Sequence, residues 1–213
     1  AVVMTAMMLS SCSGGASKEV TSVASKEVTI GKQVWMTQNL NVNKFRNGDP
    51  IPEAKTDDEW FKAGYNGEPA WSYYNNNPDN GDRYGKLYNW YAVNDPRGLA
   101  PEGWKIPSDE EWSRLEDFLG GIFVAGTKMK STDFWADNRY KGTNESGFSG
   151  LPGGNRYYGG SFLNIGLTGY WWCSPESNAD FALYRNVGFL GGYVGRFDVS
   201  GKNFGFSVRC LRD

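Results

Sequence analysis

The sequence predicts an α+β fold in which a few short helices stand beside short strands. Two strings, Thr56-Asp57-Asp58-Glu59 and Ser108-Asp109-Glu110-Glu111, have the S/T-x-x-E spacing that satisfies free N–H groups at a helix start. The 28 Gly are spread among 9 Trp, 12 Tyr and 12 Phe, a composition of frequent turns joining short strands around bulky side chains. No linker-like shift of composition interrupts residues 28–213, so one domain is expected there.

Val28 and Ile30 alternate with polar neighbours, Gly31-Lys32 can turn, and Val34 to Val42 continues as a second extended run, which predicts a hairpin. The first capping box starts a helix that ends near Gly64. The second starts a helix over Asp109 to Leu119, with acidic residues at its positive end and Gly120-Gly121 as its stop. Along it Trp112, Leu115 and Leu119 form one apolar stripe that should lie against a sheet. Beyond Gly142, strands are expected over Phe148 to Leu151, Gly160 to Ser174 and Phe204 to Leu211.

Composition also narrows function. With 22 basic against 24 acidic residues, the chain has no electrostatic footprint for nucleic acid or anionic headgroups. It has no His, the commonest general base and metal ligand near neutral pH, so triad hydrolases and most zinc enzymes are poor readings. No apolar run reaches the roughly 20 residues of a membrane-spanning helix. The start does suggest another attachment. Apolar Ala1 to Leu9, then Ser10-Ser11-Cys12 and a small polar run, resembles the end of a bacterial lipoprotein signal, with Cys12 as the acylated residue. Residues 1–12 are then a signal segment and 13–27 a flexible tether, through which SKEVTSVA passes into the near-copy SKEVTIGK. The location expected is the bacterial cell envelope, as an outer-membrane lipoprotein.

Several separated strings carry a family resemblance. GKQVWMTQNLNV (31–42), YGKLYNWYAV (84–93), GWKIPSDEEW (103–112), GTNESGFSGLPGG (142–154) and GFSVRC (205–210) resemble the Fibrobacter succinogenes major paralogous domain family. The WKIPSDEEW string and the terminal G-F-x-x-R are also similar to the formylglycine-generating-enzyme branch of the C-type-lectin-like fold. That resemblance implies two helices beside short, irregular antiparallel sheets. Enzymes of that branch use cysteines close together near the C-terminus, whereas Cys173 and Cys210 lie far apart, so a non-catalytic chain is expected. With Cys12 acylated, an even pair remains in an exported protein, and a Cys173–Cys210 disulfide is the expectation.

Residues 177–201, SNADFALYRNVGFLGGYVGRFDVSG, contain no Trp, Glu, Gln, Met or Lys. Those residues are unreachable by changing only the adenines of an asparagine codon. The stretch thereby resembles the variable proteins of diversity-generating retroelements, whose ligand-binding residues are scrambled in this way just before a fixed C-terminal motif. On that resemblance Arg185, Val187, Val194, Arg196 and Lys202 are scaffold positions. The contact surface is then Phe181, Tyr184, Asn186, Leu190, Tyr193, Phe197, Asp198, Val199, Asn203 and Phe204. Rigid aromatic area mixed with adaptable Gly, Ser and Asn is paratope chemistry; a Gly-rich hairpin with no such role has the same composition.

Asp57-Asp58-Glu59 and Asp109-Glu110-Glu111 read as helix-start carboxylates, not as metal or acid–base clusters. Asn75 to Asp82 is an oxygen-rich run that fits Ca²⁺ and plain turn chemistry equally and lacks EF-hand spacing, so no cofactor or metal is assigned. The function expected is ligand binding at a cell surface, with a protein or a cell-surface glycan as partner, the membrane reached through the lipid anchor, and no nucleic acid. The alternative is a structural or adhesive surface component with a fixed C-terminal hairpin.

Overall fold

The computed structural model describes residues 27–136 and 140–213. Cys12 and nearly all of the expected tether lie outside them. The first strand opens at Glu27, one position before the expected boundary: β1 (Glu27–Ile30) and β2 (Gln33–Met36) pair antiparallel around Gly31, whose φ of +61° a side chain would strain. The extended run stops at Met36, short of Val42.

Both capping boxes close as the sequence predicts. Helix α1 spans Asp57–Asn66, two residues past the expected end, with Thr56 accepting from the Glu59 N–H and Gly67 in the left-handed conformation as stop. After β3 (Trp71–Ser72) the oxygen-rich run forms a 3-10 turn over Tyr74–Asn76 and then helix α2 (Pro78–Tyr84). Asn77 accepts from the Asp79 N–H, and Asn76 and Asn80 donate to the carbonyls of Lys55 and Tyr74, so these side chains serve capping and bracing. Then come β4 (Leu87–Tyr88), the one-turn α3 (Trp90–Val93) and β5 (Trp104–Lys105). Helix α4 (Asp109–Phe118), capped by Ser108, buries Trp112 and Leu115, with Leu119 just beyond its end, and α5 (Ala125–Met129) follows.

The remainder is mostly strand: β6 (Gly153–Arg156), β7 (Phe162–Ile165), β8 (Thr168–Glu176), β9 (Phe181–Gly188), β10 (Val194–Gly201) and β11 (Leu211–Arg212). The expected strand at 148–151 is a single bridge between Gly150 and Lys130, and the one at 160–174 is broken by a turn at Gly166, where φ is +77°. Within Phe204–Leu211, Gly205, Phe206 and Ser207 make isolated bridges rather than a continuous strand, and strand pairing resumes at Leu211. The chain is therefore a mixed α/β protein with few helices and small antiparallel sheets: β1-β2-β11-β5, β10-β9-β8, β3-β4 and β6-β7.

The β10-β9-β8 sheet runs between two aromatic cores. Trp172, Ala182 and Tyr184 face one core with Phe206, Trp90 and Trp104. Trp171, Cys173, Leu183 and Val187 face the other with Trp35, Trp112 and Phe148. Successive side chains of a strand point to opposite faces, so β8 and β9 are apolar on both sides.

Candidate ligand-binding face

β9 and β10 form the hairpin that holds the expected contact surface. Its register sets Val194 opposite Val187, Arg196 opposite Arg185 and Phe197 opposite Tyr184, with an irregularity between Phe197 and Ser200. Arg185, Val187, Val194 and Lys202 are buried. Arg196 is half exposed, and both its ion-pairing nitrogens reach Asp109, at 2.9 Å each.

The expected contact residues separate into three groups. Phe181, Leu190, Tyr193, Phe197, Asp198 and Val199 are exposed. Asn186, Asn203 and Phe204 are half buried. Tyr184 corrects the expectation: it is 9% exposed and packed among Trp172, Phe206 and Phe197, its ring stacked on Phe197 at 5.3 Å. It lies in the middle strand of the sheet, where Trp172 and Phe206 cover that face at this position, so alternation alone does not bring it to the surface.

Eight of these ten residues line two concavities, and Tyr184 and Asp198 line neither. One, of about 400 Å³, takes Phe181 and Val199 from the hairpin and Asn203 and Phe204 from the chain just after it. Its opposite wall comes from distant sequence: Tyr91 on α3, and Tyr157 and Tyr158 in the β6–β7 turn. The Tyr157 ring lies 4.3 Å from Tyr158 and 5.0 Å from Phe204. The second, of about 260 Å³, lies at the hairpin tip between Asn186, Leu190, Tyr193 and Phe197. Beside that tip the α4–α5 loop exposes Ile122, Phe123 and Val124, with Phe123 5.7 Å from Tyr193. Sequence reasoning missed Tyr91, Tyr157, Tyr158 and Phe123. The YYGG string at 157–160, two aromatics at a Gly-Gly turn, was the available signal for the tyrosine wall.

Buried cations hold this face. Arg185, fully buried, pairs with Glu116 at 2.6 Å and Asp109 at 2.7 Å, tying β9 to α4. Lys202 donates to Glu176 at 2.7 Å and to the Ala179 carbonyl at 2.8 Å, with its ammonium over Trp90. Lys130 reaches the Gly191 carbonyl at 2.7 Å and the Gly188 carbonyl at 3.4 Å, on either side of Leu190. Arg156 donates to the carbonyls of Gly160, Ala54 and Thr56, and so fixes the turn that carries Tyr157 and Tyr158. Asp109 is held below the ordinary carboxylate range by its hydrogen bonds from Arg196 and then Arg185.

The expected Cys173–Cys210 disulfide is not formed. Both are free, buried thiols that pack into different cores, and Cys173 Sγ instead lies 3.7 Å from Arg185 Nη1. Burial pushes each thiol up to about 12, so neither is an activated nucleophile. Among the described residues no group of three or more His, Cys, Asp or Glu side chains is placed to hold a metal, and no helix is long and apolar enough to cross a membrane.

Fold and surface together define a mixed α/β protein that presents concave aromatic pockets on a hairpin braced from within. The chain belongs to the Fibrobacter succinogenes major domain family, whose model matches residues 28–212. Neither the curated proteins nor the solved structures contain a significant match.

Proposed function

We propose that this chain is a surface-anchored ligand-binding protein, displaying a diversified C-terminal face on a C-type-lectin-like frame and performing no chemistry on what it binds. The observation that carries the reading is how residues 177–204 divide: Phe181, Leu190, Tyr193, Phe197, Val199 and Asn203 line concavities, while Arg185, Val187, Val194 and Lys202 are buried. A stretch divided in this way can change its displayed side chains without disturbing what holds it. Two capped helices, a three-stranded sheet and pairing of β2, from the opening hairpin, with β11 support the lectin-like frame. Two thiols raised to about 12 and the absence of His support binding without catalysis. The anchor is Cys12 in the bacterial cell envelope, and palmitate labelling in cells that leaves the chain unlabelled would remove that part.

Sequencing natural copies of codons 173–210 tests the diversified face. Variation at the displayed positions, with Arg185, Val187, Val194 and Lys202 constant beside an asparagine-codon-rich template, is the expected result. Uniform copies without a template would overturn it in favour of the second reading, a fixed adhesive or structural component. The exposed apolar ridge of Ile122, Phe123, Val124, Leu190 and Tyr193 favours that alternative, since contiguous apolar surface marks protein contact.

A further inference from the structure

We infer that the 400 Å³ concavity is a calcium-independent site for a neutral pyranose, with a tyrosine wall that supplies the stacking surface and a hairpin wall that selects the sugar. This rests on the ligand-binding reading above and names the ligand class for one of its two concavities. A pyranose presents an apolar C–H face and a rim of hydroxyls that both donate and accept hydrogen bonds, so its site needs ring faces beside uncommitted groups of both kinds. Tyr157 and Tyr158 supply the rings, 37% and 42% exposed, close-packed with each other and with Phe204.

Two polar side chains at the same concavity remain uncommitted. The Asp180 carboxylate and the Asn203 carboxamide line it, and neither side chain has a hydrogen bond or ion pair among the described residues. A carboxamide and a carboxylate together match adjacent hydroxyls, the amide donating and accepting and the carboxylate accepting. Asn203 is also held in place: its main-chain carbonyl accepts from Trp60 Nε1 at 3.1 Å, and its Cβ abuts Gly64 of α1, where an added Cβ would come within 2.6 Å.

The lining disfavours the two nearest competitors, one by charge and one by hydrogen bonding. Among the described residues the only cation lining the concavity, Lys202, is engaged by Glu176 and the Ala179 carbonyl, so an anionic sugar would meet Asp180 without a free counterion there. An alkylammonium would use Asp180 and the ring faces but leave the Asn203 carboxamide without a role. The tyrosine wall lies outside residues 177–204, so every copy that varies there keeps the same stacking surface while Phe181, Val199 and Asn203 change the selectivity.

The test titrates the full chain with methyl glycosides of glucose, galactose, mannose and N-acetylglucosamine. Methyl glucuronide and tetramethylammonium serve as comparators, followed by calorimetry and saturation-transfer NMR, with and without chelator. At least one neutral glycoside should bind in the millimolar range, unchanged by chelator and weakened about tenfold or more by Tyr158→Ala and by Asp180→Ala. Both residues are exposed, and an unchanged melting curve separates lost binding from lost folding. No binding by any neutral glycoside, a preference for tetramethylammonium or glucuronide, or affinity indifferent to both substitutions overturns the inference. Variation of the natural copies at the displayed positions would still uphold the diversified face in that event, so the two failures are distinguishable.

Discussion

Replacing Arg185 by Met should be among the most damaging changes this face can suffer, and the reason is what it leaves behind. The guanidinium is fully buried and pairs with Glu116, itself 4% exposed, through a 2.6 Å contact. It also donates to the Asp109 carbonyl and to Ser113 Oγ. Removing one partner of a buried pair strands the other charge and typically costs about 3–5 kcal/mol, a large share of the roughly 5–15 kcal/mol that stabilises a domain. The double variant Arg185→Met/Glu116→Leu removes both charges, and should recover all but about 1–2 kcal/mol, because an apolar pair of similar volume is tolerated where a lone carboxylate is not.

The pH dependence carries a sign. Burial raises the Glu116 carboxyl above its ordinary 4.5, partly offset by Arg185. A raised folded pKa gives stability that is full below the unfolded value and lost as pH rises through the folded one. Without Arg185 the folded value rises further, so the penalty of the single variant should be largest at neutral pH and shrink as pH falls toward 4.5. Urea unfolding followed by tryptophan fluorescence at several pH values measures this. A single variant costing less than about 1 kcal/mol, or a double variant no more stable than the single, would refute the assignment of Arg185 and Glu116 as a stability-determining pair.

Three further outcomes follow from the same geometry. Ser108→Ala removes the hydroxyl that accepts from the Glu111 N–H at the start of α4, and should cost about 1 kcal/mol in urea unfolding; no change would mean the cap is redundant. Cys173 and Cys210 should not react with Ellman's reagent in the folded chain at pH 8 and both should react in urea, because burial keeps them protonated and shielded; prompt native labelling would contradict the two-core packing. Leu190→Ser, at a hairpin position 61% exposed, should shift stability by no more than about 0.5 kcal/mol, and a larger loss would mean the tip side chain is structural.

How much of this was legible depends on whether the cause was local. Both capping boxes were readable because a cap is decided within four residues, and the stripe of Trp112, Leu115 and Leu119 because it lies on one helix face. The α2 helix was hidden under its own asparagines. Asn77 followed by Pro78 is a helix-start signal, but a run of Asn, Asp and Gly reads equally as a turn. The placement of Tyr184 was misread because alternation distinguishes inside from outside only on strands with one wet face. The tyrosine wall was invisible from the hairpin's own sequence, since Tyr91 and the Tyr157-Tyr158 pair come to line one concavity with Phe204 only through tertiary packing. The cysteine pairing failed for a similar reason: an even count of thiols says nothing about which core each one enters.

The way the buried cations are satisfied bears on how such a face could vary. Lys130 holds the hairpin tip through the carbonyls of Gly188 and Gly191, Arg156 holds the tyrosine turn through the Gly160 carbonyl, and Lys202 is anchored on the Ala179 carbonyl as well as Glu176. A carbonyl oxygen is present whatever side chain its residue carries. A bond made to it therefore survives substitution at that position, provided the backbone path is kept. Bracing by side-chain partners would have tied the identity of each loop residue to the fold. Bracing by main-chain oxygens leaves Leu190, between two such contacts, and Phe181, two residues after Ala179, free of that tie. Each cation gives up hydration to do this, and burial lowers the Lys130 ammonium and the Arg156 guanidinium below their ordinary ranges. That cost falls on side chains outside the expected contact set, so it does not depend on which side chains stand at those positions.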